Sequence, residues 1–342
     1  MRAAAYVGDR TIRVEEREPA APGPGEVRLD VAYVGICGTD LHIRHGAMDA
    51  RVTLPAVIGH EMSGTVGAVG DGVIDWRPGD RATVMPLRWC GHCPACRAGH
   101  GHVCQNLVFV GIDAPGAMQQ SWTVEQDLLV RLPDGIALDH AALAEPTAVA
   151  VHDVRRSGLS GGDRALVVGG GPIGMLIAVV AAAQGADVLV SEPNHFRREL
   201  AAGLGLRALD PLVEDVVARV GEWTDGAGAD VAFEVSGNPA GLRTATDALR
   251  VRGRLTVVAI HSEPVPVDLF RFFWRELELV GARVYERADF ERAVELLAKG
   301  AVRAAELIST IEPLDRAPEA FDLLEHGADA MKVLIDCRTP AA

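Results

Sequence analysis

The sequence lacks the features that mark membrane proteins, nucleic-acid-binding proteins and repeat proteins. Its longest strongly apolar run, residues 173–183, is far too short to cross a bilayer, so we expect no membrane span. Its formal net charge of -14 repels phosphate backbones and no basic patch interrupts it, so nucleic acid is not an expected partner. Internal repeats and low-complexity segments are also missing.

The first ten residues, MRAAAYVGDR, contain no apolar core of the kind that directs a chain to secretion. We therefore expect a cytoplasmic protein. With 342 residues, 49% hydrophobic and 23% charged, the chain has an ordinary soluble composition and a length that favours about two domains.

Two patterns divide the chain near residue 150. The first part is rich in Gly and Pro and contains short alternating segments, such as 26–34, that predict a small β-rich barrel. Beyond it, short apolar runs at 165–168, 187–190, 230–235 and 255–259 alternate with helical segments, which predicts a parallel, doubly wound α/β sheet. From about residue 286 the pattern becomes helical again, and Gly300 can end that helix.

Four of the 6 cysteines fall in one short segment, with gaps of two, two and seven residues: Cys90, Cys93, Cys96 and Cys104. This spacing is typical of a structural zinc site with four thiolate ligands. A disulfide framework would need an oxidising compartment. An iron–sulfur cluster would place the fourth cysteine after three residues and follow it with proline, whereas Gln105 follows here.

A glycine-rich motif follows the run at 165–168. Gly169, Gly171 and Gly174 form a GxGxxG pattern between a strand and a helix. The glycines allow a tight turn, close approach of the pyrophosphate and close helix packing. Pro172 and Ile173 belong to the first helical turn, where a missing N–H costs nothing. The pattern predicts a dinucleotide-binding loop.

Glu192 ends the next predicted strand, where an acid can accept hydrogen bonds from both hydroxyls of the adenosine ribose. This position favours NAD, because the 2′-phosphate of NADP would face the carboxylate. Arg197 and Arg198, which lie nearby, could weaken that preference.

Cys37, in GICGTDLH, and the adjacent His60 and Glu61, in IGHEMSG, are residue types that bind zinc. Their spacing alone is a weak indication. The order of motifs along the chain is more specific: CGTD, GHE, the four cysteines, EPT at 145–147 and then GxGxxG.

This order, and the string WCGHCPACRAGHGHVCQN, resemble the zinc-dependent medium-chain alcohol dehydrogenases across nearly all 342 residues. The match is to the polyol and secondary-alcohol branch that contains sorbitol, butanediol and threonine dehydrogenases. The resemblance implies a GroES-like catalytic domain at 1–149, a Rossmann NAD-binding domain at 150–285 and a C-terminal segment, 286–342, that returns to the first domain. It also implies NAD, two zinc ions per subunit and a homodimer or homotetramer.

By that resemblance, Cys37 and His60 are ligands of a catalytic zinc, and Glu61 and Glu145 supply the remaining positions. Which of the two glutamates coordinates the metal directly is left open. Relatives with a cysteine at the position of Glu145 form a different branch, so Glu145 gives this site more oxygen ligands.

The resemblance also assigns a proton relay and several cofactor contacts. Thr39 and His42 match the relay residues, Glu61 is counted with them as catalytic, and Asp40 matches an acid that orients the ligand His60. The remaining candidates for cofactor contacts are Arg197, Ser236, Ala259 to His261 and Lys332. Lys332 corresponds to a cation near the pyrophosphate in relatives.

The expected activity is therefore transfer of a hydride from a secondary alcohol, such as a polyol, cyclitol, diol or sugar-like molecule, to NAD. The string CGTDLHI is similar to that of threonine 3-dehydrogenases, so this activity is the alternative within the family. A zinc-free reductase or a crystallin-like structural protein is the alternative from another class.

Overall fold

The computed structural model describes residues 1–326 and 329–338. The strands, in chain order, are β1 (Arg2–Tyr6), β2 (Ile12–Glu16), β3 (Glu26–Gly35), β4 (Ala56–Val57), β5 (Glu61–Val69), β6 (Arg81–Val84), β7 (Leu87–Arg88), β8 (Val108–Phe109), β9 (Ser121–Glu125), β10 (Leu129–Arg131), β11 (Arg164–Val168), β12 (Asp187–Ser191), β13 (Arg207–Leu209), β14 (Ala229–Glu234), β15 (Leu249–Val257), β16 (Glu278–Gly281), β17 (Ile308–Pro313) and β18 (Lys332–Asp336).

The helices are α1 (Gly38–Arg44), α2 (Pro94–Arg97), α3 (Leu138–Ala141), α4 (Ala144–Ser157), α5 (Pro172–Ala183), α6 (His195–Gly203), α7 (Val216–Trp223), α8 (Pro239–Asp247), α9 (Leu269–Arg275), α10 (Arg287–Ala298), α11 (Ala304–Leu307) and α12 (Ala317–His326). Short 3-10 turns occur at Gly101–Val103, Gln126–Leu128 and Leu314–Arg316. None of the helices in the described part of the chain is long and apolar enough to span a membrane.

The chain divides into two units. The first contains residues 1–145, 286–298 and 308–342, and the second contains 146–285 and 299–307. The sequence predicted boundaries at 149/150 and 285/286, with all of 286–342 returning to the first domain. The structure differs in placing 299–307, which includes α11, in the second unit.

The first unit is built on β-sheets. A sheet of the order β10-β6-β5-β3-β18-β17, with β9 also paired to β3, lies beside a smaller sheet of the order β2-β1-β4. Along β3, Val27, Leu29 and Val31 are buried and alternate with more exposed residues, as the sequence predicted. The strand β18 pairs with β3 on one side and β17 on the other, so the C-terminal segment completes this sheet.

The second unit contains a six-stranded parallel sheet of the order β13-β12-β11-β14-β15-β16. Counted within the unit, this is the order 3-2-1-4-5-6 of dinucleotide-binding folds, with the change of direction between β11 and β14. The strand β11 is almost wholly buried because helices cover the sheet, which explains its continuous apolar run. The predicted fold class, a β-rich domain plus a doubly wound parallel sheet, is confirmed.

Candidate metal centres and cofactor-binding loop

The four-cysteine segment lies between β7 and β8 and brings its sulfur atoms together. All four Sγ atoms lie within 4.8 Å of one another. The Sγ atom of Cys104 is 3.5 Å from that of Cys90 and 3.8 Å from that of Cys93, and all four thiols are free. A tetrahedral ion with bonds of about 2.3 Å to sulfur places its ligands about 3.8 Å apart, so the cluster fits zinc.

Backbone N–H groups point at these sulfurs. Cys90 N–H donates to Cys104 Sγ at 3.4 Å, and Asn106 N–H donates to the same sulfur at 3.2 Å. The backbone N–H of His92, followed by the side chain of Asn106, lowers the pKa of Cys90 to about 5. Cys90 is therefore favoured as a thiolate, which is the form that binds a metal, whereas burial raises the pKa of Cys96 to about 12 in the absence of a metal.

A second group of metal-binding donors forms where three segments of the first unit meet. Cys37 follows β3 and caps α1, His60 precedes β5, and Glu61 is the first residue of β5. One donor atom from each of these three residues lies within 4.8 Å of the other two. The pairing of β3 with β5 sets Gly35 opposite Glu61, and this register brings the distant motifs GIC and GHE together.

The second cluster is buried in a strongly negative environment. Asp40 is fully buried; its Oδ2 accepts a 2.9 Å hydrogen bond from Cys37 N–H, and its Oδ1 lies 3.8 Å from His60 Nδ1. Burial lowers the pKa of His60, but Asp40, then Cys37 and Glu145, outweigh it and raise the value to about 10. The negative charge that favours a protonated imidazole here can equally well be neutralised by a bound cation.

Lys332, on β18, is part of this cluster. Its ammonium group forms an ion pair with Glu61 Oε2, donates to the carbonyl of Ile36 at 3.0 Å and is 4% exposed. Gly35 makes room for the pair, because a Cβ there would overlap Glu61 Oε2 and lie 3.0 Å from Lys332 Cε. The sequence assigned Lys332 to the pyrophosphate. The structure gives it a contact within the donor cluster instead, and the cofactor contact stays a prediction.

Thr39 and His42 lie one turn apart on α1, directly after the donor Cys37. Thr39 is half-buried and His42 is exposed. Residues three apart share a face of a helix, so the two side chains are placed to pass a proton from the buried end of α1 to solvent. Their roles stay predictions.

The glycine-rich loop joins β11 to α5 in the second unit. Gly169 has a φ of 102°, and a Cβ there would lie 2.9 Å from the backbone nitrogen of Ser236. At Gly174 a Cβ would overlap the carbonyl oxygen of Gly169. Gly171 caps α5, whose first residue is Pro172 and whose second is Ile173. The turn and the close packing that the motif predicted are both present.

Glu192 is held against this loop. Its Oε2 accepts a 2.6 Å hydrogen bond from Gly170 N–H, and its Oε1 accepts one of 2.8 Å from Asn194 N–H. Arg197 Nη1 lies 3.9 Å from Glu192 Oε2, and Arg198 forms an ion pair with Asp210 at 2.9 Å. A carboxylate has about four acceptor positions, so about two remain for a ligand.

Glu234, at the end of β14, is a residue that the sequence did not single out. Its Oε1 accepts hydrogen bonds from Ser236 N–H at 2.9 Å and Gly237 N–H at 3.0 Å, and its Oε2 lies 3.0 Å from His261 Nε2. Its carbonyl accepts from Ala259 N–H at 3.1 Å. The predicted residues Ser236, Ala259 and His261 are thus gathered around one buried acid at the carboxyl edge of the sheet. The sequence pattern that could have identified Glu234 is an acidic residue at the end of an apolar strand.

Comparison with known proteins identifies the family of the chain that carries these sites. Residues 23–134 match the alcohol dehydrogenase GroES-like domain, and residues 172–299 match the zinc-binding dehydrogenase domain. The chain belongs to the zinc-binding alcohol dehydrogenase family. Its two units are accordingly the GroES-like and Rossmann-type parts of such an enzyme, as the resemblance implied.

Relatives of this zinc-binding dehydrogenase match it over nine-tenths of its length or more. A 2-dehydro-3-deoxy-L-galactonate 5-dehydrogenase from Pseudoalteromonas atlantica is 52% identical over 337 residues, which cover 98% of this chain and 99% of that protein. An L-threonine 3-dehydrogenase from Pyrococcus horikoshii is 36% identical over 315 residues, 90% of each chain.

Solved structures agree with the fold. The 2R,3R-butanediol dehydrogenase of Bacillus subtilis superposes with a TM-score of 0.90 at 33% identity, covering 98% of this chain and 99% of that one. A zinc-binding dehydrogenase from Sinorhizobium meliloti, solved with NADP, superposes with a TM-score of 0.92 at 32% identity and 98% coverage of both chains.

Family membership fixes the class of reaction. The zinc-binding dehydrogenase is an oxidoreductase that removes a hydride from a secondary alcohol and uses a nicotinamide cofactor and zinc. The donor sets fit that metal: four sulfurs form a closed site, whereas sulfur, nitrogen and oxygen donors from Cys37, His60 and Glu61 leave a position open, as catalytic zinc requires.

Proposed function

We propose that this dehydrogenase oxidises the C5 hydroxyl of a 2-dehydro-3-deoxy sugar acid, such as 2-dehydro-3-deoxy-L-galactonate, with NAD as the oxidant. The observation that carries the choice of substrate is the 52% identity, over 98% of the chain, with a dehydrogenase of that name. The threonine and butanediol enzymes that share the fold are 36% and 33% identical. The product is the corresponding 5-ketone.

Cys37, His60 and Glu61 would hold the catalytic zinc, and Glu145 would lie beside them. When bound, zinc supplies a Lewis acid that favours loss of the hydroxyl proton, and NAD accepts the hydride. Asp40 would hold the orientation of His60 by charge, because its Oδ1 lies 3.8 Å from Nδ1 and the other ring nitrogen is then left for the metal. Lys332 balances the charge of Glu61, so the buried centre is not left with an uncompensated carboxylate.

Thr39 and His42 would carry the proton away from the substrate. The Thr39 hydroxyl can accept the proton of the alcohol and pass one on, because a hydroxyl is both a donor and an acceptor. His42, exposed one turn later on α1, can then release it to solvent. Both residues lie on α1, which Cys37 caps, so the relay and one donor of the metal centre share one helix.

A preference for NAD over NADP follows from Glu192. Its carboxylate is fixed by Gly170 and Asn194 beside the glycine-rich loop, where the adenosine ribose is expected to lie. A 2′-phosphate placed there would meet a negative charge that cannot swing away. We expect kcat/KM to be higher with NAD, and a higher value with NADP would contradict this assignment of Glu192.

L-Threonine is the second candidate substrate, supported by the string CGTDLHI in α1. The two candidates differ in charge, because threonine carries an ammonium group beside its carboxylate and the sugar acid does not. A zinc-free reductase has no comparable support, since the donors of both zinc sites come together in the structure.

We also propose a cytoplasmic homodimer or homotetramer. The four free thiols of the cysteine cluster suit a reducing compartment. For assembly, the support is an exposed apolar face on α9, formed by Leu269, Phe270, Phe273 and Trp274, close along the chain to the sheet's edge strand β16. We expect Phe273→Asp to lower the mass measured by light scattering, and an unchanged mass would exclude this face.

The experiment that tests the substrate is a spectrophotometric assay of NADH formation at alkaline pH. The panel contains the 2-dehydro-3-deoxy sugar acid, 2,3-butanediol, polyols, cyclitols and L-threonine. We expect the highest kcat/KM with the sugar acid. A higher value with L-threonine would replace the proposal by its alternative, and a neutral polyol as best substrate would reject both.

A further inference from the structure

Arg51 lies in the connection between α1 and β4 and is bound along one edge of its side chain. Its Nε donates to Asp113 Oδ1 at 2.5 Å, and its Nη2 donates to Asp113 Oδ2 at 2.6 Å. A guanidinium group has a second edge, formed by Nη1 and Nη2, that can bind another carboxylate. Within the described residues Nη1 has no protein acceptor, and the side chain is 41% exposed, so this second edge is open.

The partner of Arg51 belongs to a turn that packs on a metal donor. The ring of Phe109 meets that of His60 edge-on with centroids 5.1 Å apart, and a Cβ at Gly111 would lie 3.1 Å from His60 Cβ. Asp113 ends this turn and accepts a 2.7 Å hydrogen bond from Phe109 N–H. Two residues of chain extend at most about 7 Å, so the Cα atom of Asp113 lies within about that distance of Gly111, which packs against His60.

The backbone around Arg51 is fixed on both sides. Tyr6 donates its hydroxyl to Asp49 at 2.9 Å, and Val52 is buried and donates its N–H to the carbonyl of Met48 at 3.0 Å. Although burial raises the pKa of the Asp113 carboxyl, Arg51 and Phe109 N–H hold it below the usual range. The guanidinium is therefore held in place before any ligand arrives.

An anionic substrate needs such a group here. The second donor cluster contains the acid Glu61 and has Asp40 and Glu145 beside His60, and the whole chain carries a net charge of -14. Lys332 is buried and already paired with Glu61. In an extended six-carbon acid the carboxyl carbon lies about 5 Å from C5, so the group that binds the carboxylate must lie near the metal centre but outside it.

We propose that the open edge of Arg51 binds the C1 carboxylate of the substrate and that Asp113 positions it for this task. The inference rests on the proposed function, since it assumes that the substrate is a sugar acid. In this role Arg51 distinguishes acids from neutral alcohols of the same length. The metal centre contacts only the C5 hydroxyl and does not select for the group at C1.

The test compares the sugar acid with its C1 amide, which has the same shape and no charge. For the wild type we expect kcat/KM to be about 30-fold higher with the acid, the usual contribution of a hydrogen-bonded charge pair. Arg51→Gln should reduce this ratio to near 1, mainly through KM for the acid. Arg51→Lys should keep part of the preference, because it retains the charge and loses the planar fork.

Arg17→Gln is the matched control. Arg17 also pairs its Nε with a carboxylate, Glu15, at 2.7 Å in the same unit, and it lies on the chain directly after β2, which carries none of the donor residues. Its substitution should leave the ratio unchanged, and zinc content and melting temperature report on folding of every variant. A wild-type ratio that survives in Arg51→Gln overturns the role of Arg51. A wild type inactive on the acid instead overturns the proposed function.

Discussion

The two donor clusters of the first unit differ in how they are built. The four cysteines lie within fifteen residues of chain, and backbone N–H groups of the same segment stabilise their charge. Cys37 caps α1 after β3, whereas His60 and Glu61 lie at the start of β5, and their surroundings supply acids and one buried lysine. The local cluster is a site that its own segment can form, whereas the distributed one depends on the whole sheet.

This difference separates the two roles that a metal plays. A closed shell of four thiolates leaves no position for a substrate and stabilises the segment that carries it. A metal with sulfur, nitrogen and oxygen ligands, surrounded by acidic residues, keeps an open position and can change the pKa of an alcohol or water that binds there. The following variants test that division of labour.

Removing one donor from the distributed cluster should have the largest effect. We expect Cys37→Ser to lower kcat by at least about 1000-fold, because the metal stabilises several kcal/mol of developing charge, and to leave NADH binding intact. Metal analysis should fall from two zinc ions per chain to one. Cys337→Ala, at a buried thiol outside both clusters, is the control. Turnover in a Cys37→Ser protein free of the second zinc would reject the mechanism.

Removing one donor from the local cluster should affect stability instead. Cys104 Sγ accepts N–H groups from Cys90 and Asn106, so Cys104→Ser weakens both the zinc site and the segment's own hydrogen bonds. We expect the free energy of unfolding to fall by on the order of 4 kcal/mol, with new proteolytic cleavage between residues 90 and 104. If Cys104→Ser were as stable as the wild type but inactive, the cysteine cluster would have a catalytic and not a structural role.

Lys332→Met should destabilise the distributed cluster from within. It leaves the buried carboxylate of Glu61 without its cation, which costs about 3 to 5 kcal/mol. In metal-free protein we expect the double variant Lys332→Met/Glu61→Gln to recover much of that loss, since no charge is then stranded. Equal stabilities of the single and double variants in chemical denaturation would show that the ion pair does not matter.

The effect that is smallest for each step of the variable is a dependence of zinc affinity on pH. In the metal-free protein the pKa of His60 is raised to about 10, so below that pH the ring carries a proton that zinc must displace. We expect affinity for the second zinc to increase at least about tenfold per pH unit between pH 6 and 9, because the His60 proton is among those that zinc binding releases. Cys37→Ser, which keeps the cysteine cluster, gives the baseline in the same chelator competition. If the difference in zinc affinity between the wild type and Cys37→Ser did not change with pH, the raised pKa of His60 would be contradicted.

Much of the fold followed from local patterns. The run at 165–168 and the glycines after it predicted β11 and the start of α5, and Pro172 is the first residue of that helix. The strands β13 and β16 were not predicted. Each is short, and β16 is largely exposed at the edge of its sheet, so neither shows the continuous apolar run of a buried strand.

The sites divide in the same way. The spacing of four cysteines indicates their cluster directly, whereas Cys37 and His60 could be paired only through the resemblance to a family. The contact of Lys332 with Glu61 needs the register of β18 against β3, which no local pattern contains. Arg51 and Asp113 lie 62 positions apart, and each alone is an ordinary surface charge.

The position of β18 has a consequence for biosynthesis. Its neighbour β3 leaves the ribosome early, and the strand that must lie beside it is made only after the entire Rossmann unit has been translated. Domains usually fold in order from the N-terminus during synthesis, whereas here the sheet of the first unit is completed only when β18 has been made. All four donors of the cysteine cluster are present once residue 104 has been made, whereas the centre that contains Lys332 needs β18, more than two hundred residues later.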